Sequence, residues 1–165
     1  MASPIAPLQR TRLKYGVGDA PSLEGSLIAT VAPIMRHLVA HVRGRRAWRE
    51  LTYQQYNVLR MIDTTGPQAQ AEVARRLMVT SPVVTRLASI LVDAGLVERR
   101  TDPTDRRAVL LAATARGRRR ARAMRRDLLE AARELLEPIP EERRRAVGDA
   151  LQELQILLPP HSARR

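Results

Sequence analysis

The feature that most constrains this fold is a pair of breaks that divide residues 52–95 into three short segments. Thr-Thr-Gly-Pro at 64–67 forms the first break, and Val-Thr-Ser-Pro at 79–82 forms the second. Apolar residues recur with helical spacing on either side of each break. The sequence therefore predicts three short helices in succession.

Each of the three helices carries boundary signals. Thr52 and Gln55 form a capping-box pattern that predicts the start of the second helix of the chain. Apolar residues at 71–77 predict a third helix, and Thr80 is placed to cap a fourth that ends at Gly95. The fourth helix is expected to bury one face and expose the other, with Val84, Leu87, Ala88 and Leu91 inside and Ser81, Val83, Thr85, Arg86 and Ser89 toward solvent.

A basic β-hairpin is predicted directly after these helices. Strand-like runs occupy 96–100 and 108–111, and Thr-Asp-Pro-Thr-Asp-Arg-Arg separates them at 101–107. Asp, Pro and Thr favour turns, so the two arginines are expected at the tip of the hairpin.

Longer helices with wide apolar faces are predicted on both sides of this region. The first runs from Ser22 to about Arg46, and Pro33 is expected to bend or interrupt it. The fifth covers 114–137 and the sixth 141–157, with Pro-Ile-Pro between them. These faces would leave much apolar surface uncovered in a monomer, so the three helices are expected to form a dimer interface.

The predicted organisation is a flexible arm at 1–21, a dimerisation helix at 22–50, a compact lobe at 51–113, dimerisation helices at 114–158 and a flexible tail at 159–165. The N-terminal residues lack the continuous apolar core of a signal peptide. No apolar stretch is expected to approach the about 20 residues of a membrane span. A cytoplasmic protein with no membrane partner is therefore expected.

The chain is strongly basic, and the excess is local. It holds 29 Lys plus Arg against 17 Asp plus Glu, a net charge of +12. Residues 72–126 hold 14 Arg and 5 acidic residues, so +9 of that charge lies there. A polyanionic partner that binds this region is implied.

The sequence argues against an enzyme. It contains no cysteine, which removes disulfides, thiolate metal sites and cysteine nucleophiles. It also has no glycine-rich phosphate-binding motif and no recognisable arrangement of His, Ser and carboxylate. Neither a metal nor a cofactor is predicted.

A short helix, a turn, a second helix and a basic hairpin make up the winged helix-turn-helix arrangement. The residues also resemble the MarR family of bacterial regulators from about Leu51 to Gly117. The similar segments are Leu-Thr at 51–52 with Gln55 and Val-Leu at 58–59, Glu-Val-Ala-Arg-Arg-Leu at 72–77, Val-Thr at 79–80 with Val-Thr-Arg-Leu at 84–87, Leu91, Gly-Leu-Val at 95–97, Arg99, and the wing segment Asp-Pro-Thr-Asp-Arg-Arg-Ala at 102–108 with Val109 and Thr114. Ala-Ala at 112–113 departs from the family, in which a Leu usually precedes the Thr.

The resemblance implies a mainly α fold with a small β-hairpin wing and terminal dimerisation helices. It also implies a homodimer whose two fourth helices read half-sites of a pseudo-palindromic operator in the major groove. Base contacts would come from Thr80, Ser81, Pro82, Val83, Thr85 and Arg86. In the family, the Arg matched by Arg107 enters the minor groove and the Asp matched by Asp105 orients it, while Arg106 is expected on phosphate.

A run of arginines at the start of the fifth helix has two interpretations of equal weight. The residues could contact flanking DNA phosphates, or they could form a solvated helix face. They are Arg116, Arg118, Arg119, Arg120, Arg122, Arg125 and Arg126.

Two small groups are candidates for an effector pocket. His37 and His41 are four residues apart, and they are weighed as polar groups of a pocket rather than as metal ligands because the chain has no Cys and its third His lies near the C-terminus. Trp48, Tyr53 and Tyr56 are expected to fill the junction of the first two helices. The resemblance adds the alternative that they help bind a small aromatic or lipophilic anion.

The sequence thus predicts a ligand-responsive, sequence-specific transcriptional regulator, expected to be a repressor, with double-stranded DNA as its partner. A nonspecific architectural or RNA-associated winged-helix protein is the alternative. The operator, the effector and the choice between repression and activation stay open at this point.

Overall fold

A computed structural model describes residues 22–103, 105 and 108–158 and confirms the predicted fold class: the chain is mainly helical, with a small antiparallel sheet. The helices are α1 (Leu23–Val42), α2 (Tyr53–Thr65), α3 (Gln70–Leu77), α4 (Ser81–Asp93), α5 (Ala115–Leu136) and α6 (Glu141–Leu157), and one turn of 3-10 helix covers Arg46–Trp48. The strands are β1 (Gln68–Ala69), β2 (Val97–Thr101) and β3 (Val109–Ala113). The predicted arm at 1–21, the predicted tail at 159–165 and wing residues Thr104, Arg106 and Arg107 lie outside the described residues.

Local hydrogen bonds explain where the helices begin. At α2 both halves of the predicted capping box form, since Thr52 Oγ1 accepts from the Gln55 amide at 3.3 Å and Gln55 Oε1 accepts from the Thr52 amide at 2.6 Å. Thr114 caps α5 in the same manner by accepting from the Gly117 amide at 2.9 Å. Gly66 and Gly95 follow α2 and α4 with positive φ angles of 82° and 66°, a conformation in which glycine is free of Cβ strain.

The sheet has the order β1-β3-β2 and is antiparallel throughout. The hairpin pairs Val97 with Ala113 and Thr101 with Val109. Its second strand includes both alanines of the departure from the family pattern, because small buried side chains fit a strand that lies against the helices. Strand β1 was not predicted, since two residues carry no detectable alternation.

The chain consists of two compact units, one ending at Ile34 and the other starting at Met35. In the second unit a core joins α2, α3, α4, the sheet and α5, with Leu59, Ile62, Leu91 and Leu111 almost fully buried. A second cluster contains Val42, Trp48, Tyr56, Met124 and Ala131. In the first unit, the described part of α1 exposes Leu23, Leu27, Ile28 and Val31.

Helix α1 corrects three expectations. It ends at Val42 rather than near Arg46, because Gly44 takes a positive φ of 89°. It continues through Pro33, so the expected interruption was wrong; a single proline removes only one backbone hydrogen bond of the helix. The expectation was that no segment is long and apolar enough to span a membrane. By length and composition α1 is, because its mean hydropathy reaches 1.2 over 18 residues. Core helices of soluble proteins pass the same test, so it does not place α1 in a membrane.

Candidate nucleic-acid interface

Helix α4 divides into a buried face and an exposed N-terminal face, as the sequence predicts. Val84, Leu87, Ala88 and Leu91 are buried against the core. Six residues expected to read bases lie on the exposed side: Thr80, Ser81, Pro82, Val83, Thr85 and Arg86. The buried face fixes the helix on the lobe, so the exposed face is presented to solvent as a rigid surface.

The N-terminal end of α4 is suited to an anion. Thr80 stands at the N-cap, but its side chain makes no capping hydrogen bond, and the first turn contains no acidic residue. The positive end of the helix dipole therefore lies at this surface without a carboxylate to neutralise it.

Thr85 is held by its neighbours rather than left free to rotate. Its Oγ1 donates to the Ser81 carbonyl at 2.9 Å and accepts a hydrogen bond from Gln70 Nε2 at the start of α3. The hydroxyl hydrogen is used within the protein, so contact with a base edge would fall to the methyl group and the remaining oxygen lone pair.

Arg86 is the exposed cation of this face. It makes no hydrogen bond or ion pair with any of the described residues. Its guanidinium could therefore form the bidentate contact to guanine that arginine typically makes in the major groove.

The base of the wing is tied to α4, and its turn is closed by an aspartate. Arg99 Nη2 on β2 donates to Ser89 Oγ at 3.2 Å. At the other end of the strand the Asp102 amide donates to the Ala108 carbonyl at 3.0 Å, and Asp102 Oδ1 accepts from the Asp105 amide at 3.4 Å. The contacts expected of Arg106 and Arg107, and the orienting role of Asp105, stay predictions.

Helix α3 packs against α4. Glu72 binds two arginines of its own helix, with Arg75 Nη2 at 2.7 Å and Arg76 Nε also in contact. Hydrogen bonds from these two guanidinium groups lower the pKa of Glu72 to about 2. The carboxylate of Glu72 is thus neutralised by arginines of its own helix.

The predicted pocket residues are placed in two groups. Trp48, Tyr53 and Tyr56 contact one another, with ring centroids 5.1–6.4 Å apart. Trp48 and Tyr56 are buried in the core, whereas Tyr53 also lines a shallow depression with Met35, Arg36, Val39 and Ala40 of α1 and with Arg43, which follows α1. The aromatic group fills the junction expected of it, and its role in effector binding stays a prediction.

The two histidines stack on one another at 5.8 Å, away from that depression. His41 Nε2 lies 2.6 Å from Glu134 of α5, and Arg45 contacts Asp127, Glu130 and Glu134 on the same helix. These contacts fasten the end of α1 to α5. Among the described residues no group of three or more His, Cys, Asp or Glu could hold a metal ion.

The arginines at the start of α5 differ in what they contact. Arg118 Nη1 donates to the Ala113 carbonyl at 2.7 Å, and Arg120 Nη2 donates to the Arg49 carbonyl at 2.6 Å. Arg116, Arg119 and Arg120 line a cleft with Arg46, whereas Arg122, Arg125 and Arg126 are exposed elsewhere. Sequence reasoning missed this cleft and Gln70, because both depend on residues distant in the chain.

Helices α3 and α4, the three-residue turn between them and the β2–β3 hairpin define a winged helix-turn-helix protein. Residues 51–109 match the model of the MarR family. The predicted resemblance is confirmed, because this segment matches the family model and the chain has the fold of MarR-family structures.

Solved structures support the fold assignment. The chain is similar to a mutant MarR from Escherichia coli, with a TM-score of 0.74 and 21% identity over 83% of this chain and 98% of that chain. It is also similar to FabT from Streptococcus pneumoniae in complex with DNA (TM-score 0.65, 23% identity, 81% and 93% covered). A third similar structure is a MarR-family transcriptional regulator from Rhodococcus, with a TM-score of 0.63 and 24% identity over 82% of this chain and 97% of that chain. The comparison with curated proteins gives no match.

Proposed function

We propose that this chain is a sequence-specific transcriptional regulator that binds double-stranded DNA as a homodimer. The observation that carries the proposal is the exposed N-terminal face of α4, where Thr80–Arg86 offers small side chains, no acidic residue and one guanidinium with no partner among the described residues. The wing beside it adds the basic segment of the MarR-family match, and FabT is a similar structure solved with DNA. Recognition would place α4 in the major groove and the wing tip against a neighbouring groove.

The first test is binding of the purified protein to DNA from upstream of its own gene and to scrambled duplex, by fluorescence anisotropy at two salt concentrations. Tighter binding to one sequence by about 10³-fold or more is expected of a regulator. If the protein does not prefer the upstream DNA, selection from random duplexes is the next experiment, because the operator could lie elsewhere. Equal affinity for all selected sequences would refute sequence specificity.

Two arginine variants separate base reading from phosphate binding. Arg86→Ala should weaken operator binding about tenfold or more and leave nonspecific binding nearly unchanged. Arg106→Ala should weaken binding to every sequence and reduce the salt slope by about one. Arg133→Ala is the control, because Arg133 is an exposed residue in the last turn of α5. Equal losses at all sequences for both variants would show that Arg86 does not read bases.

The homodimer is proposed because α6 buries none of its residues within the described part of the chain. Leu151, Leu154, Ile156 and Leu157 are exposed along it, and α1 exposes a separate apolar set. A 17-residue helix gains little stability without tertiary burial, so a second copy is the expected cover. Sedimentation should give a dimer, and Leu154→Asp should shift it toward monomer; a monomeric wild-type chain would contradict the proposal.

We further propose that the protein acts in the bacterial cytoplasm as a repressor released by a ligand. A ligand that binds between the dimerisation helices and the winged lobe would change the spacing of the two α4 helices. In vitro transcription from the operator-bearing promoter should fall when the protein is added. Increased transcription would indicate an activator instead.

A nonspecific architectural or RNA-associated protein is the second candidate. It is favoured by the exposed arginines of α5, which lie outside the segment that matches the family. Strongly salt-dependent binding of equal strength to duplexes of any sequence would support it.

A further inference from the structure

The first residue of α3 reaches the exposed N-terminal face of α4. Gln70 Nε2 donates a hydrogen bond to Thr85 Oγ1, and this bond joins side chains that lie 15 residues apart in the sequence. Thr85 Oγ1 in turn donates to the Ser81 carbonyl of its own helix at 2.9 Å. A residue outside α4 therefore binds the hydroxyl of a side chain that is expected to read bases.

The backbone at Gln70 is fixed from two sides. Ala69, just before it, belongs to β1 and pairs with Leu110 of the wing strand β3. Gln70 begins α3, and Val73 and Ala74 of that helix are buried in the same core as α4. The side chain of Gln70 thus extends from a backbone that the sheet and the core hold in place.

Two hydrogen bonds to one oxygen favour a single orientation of the Thr85 side chain. Threonine in a helix divides between two χ1 rotamers, because its hydroxyl can bond a carbonyl of the preceding turn. The bond from Gln70 stabilises the rotamer in which Oγ1 also reaches the Ser81 carbonyl. The γ-methyl group occupies another position on Cβ, so its direction is fixed as well. Thr85 is exposed, and it then presents its methyl group in one place.

A fixed methyl group and a free hydroxyl read different bases. A threonine methyl group is suited to contact the C5-methyl group of thymine, whereas a free hydroxyl bonds to donors and acceptors alike and discriminates little. The hydroxyl hydrogen of Thr85 is already used by the Ser81 carbonyl. Holding this hydroxyl within the protein therefore favours a thymine opposite Thr85.

We propose that Gln70 is a positioning residue that sets the sequence preference of α4 by holding Thr85 with its methyl group toward a thymine. Gln70 acts through Thr85 and need not touch the base. The inference rests on the proposed DNA-binding function, in which α4 lies in the major groove. It assigns part of the specificity to α3, outside the residues expected to read bases.

The first experiment measures the rotamer in the free protein. Three-bond NMR couplings from the Thr85 methyl carbon to its backbone nitrogen and carbonyl carbon report χ1 without DNA. One dominant rotamer is expected in the wild type, and averaged couplings are expected in Gln70→Ala. Averaged couplings in the wild type would overturn the proposal. Because no DNA is present, this result does not depend on whether the chain is a regulator.

The second experiment measures recognition of the thymine methyl group. Each thymine of an operator selected from random duplexes is replaced in turn by uracil, which lacks only the C5-methyl group, and affinities are measured by fluorescence anisotropy. At the thymine opposite Thr85, uracil should weaken wild-type binding about threefold to fivefold, as expected for the loss of one buried methyl contact. In Gln70→Ala the ratio of the two affinities should fall to about one, because Thr85 then alternates between rotamers.

A double-mutant cycle distinguishes positioning of Thr85 from a structural role. Valine has nearly the shape of threonine, lacks the hydroxyl and adopts one dominant rotamer in a helix. Thr85→Val should therefore keep the thymine preference, and adding Gln70→Ala to it should leave that preference unchanged. If Gln70→Ala removes the preference in the Thr85→Val background as well, Gln70 acts by another route and the proposal is overturned.

Gln68→Ala is the matched control. It removes the same side chain two residues away, where the amide donates to the backbone carbonyls of Thr65 and Pro67. It should leave the ratio of thymine to uracil affinities unchanged. If Gln70→Ala weakens binding to the thymine and uracil operators by equal factors from wild type, its role is structural only and the proposal is overturned.

Two further outcomes separate this inference from the proposed function. A wild-type chain that selects no operator would overturn the proposed function together with this inference. A wild-type chain that selects an operator but is insensitive to uracil at every position would overturn this inference alone.

Discussion

Helices α4 and α6 both carry an apolar stripe, but they differ in what covers it. Helix α4 buries four apolar residues against the rest of the winged lobe. Helix α6 buries none of its 17 residues within the described part of the chain. An apolar stripe indicates that a helix packs against a partner. The difference between these two helices shows that the stripe does not indicate whether that partner belongs to the same chain.

The largest expected effect comes from opening the core of the lobe. Leu59 is completely buried, so Leu59→Ala should lower the free energy of unfolding by about 2–5 kcal/mol. Leu157 on α6 is 78% exposed, so Leu157→Ala should cost less than about 0.5 kcal/mol in dilute, monomeric protein. Urea unfolding measures both. Equal losses in dilute protein would mean that α6 is packed within its own chain.

Two glycines, one at the start of α5 and one in α6, differ in how closely other atoms surround them. A Cβ on Gly117 would lie 2.0 Å from the Leu96 carbonyl oxygen, so Gly117→Ala should destabilise the protein by about 1–3 kcal/mol or more. A Cβ on Gly148 of α6 meets nothing within 4 Å. Gly148→Ala should therefore stabilise its helix by about 0.5–1 kcal/mol. Thermal unfolding of the two variants in opposite directions is the expected outcome, and a stable Gly117→Ala protein would contradict this close contact.

Substitutions of the N-cap threonines of α2 and α4 should have different effects on stability and on DNA binding. Thr52→Ala removes a complete capping box and should cost about 1 kcal/mol. Thr80 makes no capping bond through its side chain, so Thr80→Ala should leave the unfolding free energy nearly unchanged and weaken DNA binding. Chemical denaturation and anisotropy titration test the pair. An equal stability loss in both would show that Thr80 caps α4 in solution.

The smallest effect concerns acid stability. The pKa of Glu72 is lowered from 4.5 to about 2 in the folded chain, so its pairing with Arg75 and Arg76 stabilises the fold above about pH 4.5. That contribution is lost as pH falls from 4.5 toward 2. Glu72→Gln should lower stability slightly at neutral pH and match the wild type near pH 2.

The matched control for this pH effect is Glu141→Gln on α6, where the carboxylate lies 3.1 Å from Arg144. It should change the pH dependence less than Glu72→Gln does. A pH profile unaltered by Glu72→Gln would remove the proposed role of this ion pair.

The ends of α2 and α4 were predictable because they depend on neighbours in sequence. Thr52 and Gln55 bond to each other's backbone amides across three residues, and Gly95 follows α4 with a positive φ. The hairpin was predictable because its two strand-like runs are adjacent in sequence and are separated by turn-forming residues.

The missed features depend on residues far apart in the chain. Gln70 reaches Thr85 only because α3 crosses α4, and β1 exists only because β3 passes beside it. The cleft needs Arg46 and Arg120, which lie on different elements. The pattern of neighbouring residues in the sequence does not indicate which distant residues come into contact.

By itself, the sequence determined the order of the elements, the two faces of α4 and the concentration of positive charge in 72–126, because helical spacing, capping and charge are properties of adjacent residues. Only the tertiary structure decided that Thr85 is held by Gln70, that none of the described residues buries α6 and that arginines from separate elements line one cleft. Those outcomes depend on how the helices pack, and a one-dimensional pattern specifies which faces must be covered without specifying what covers them.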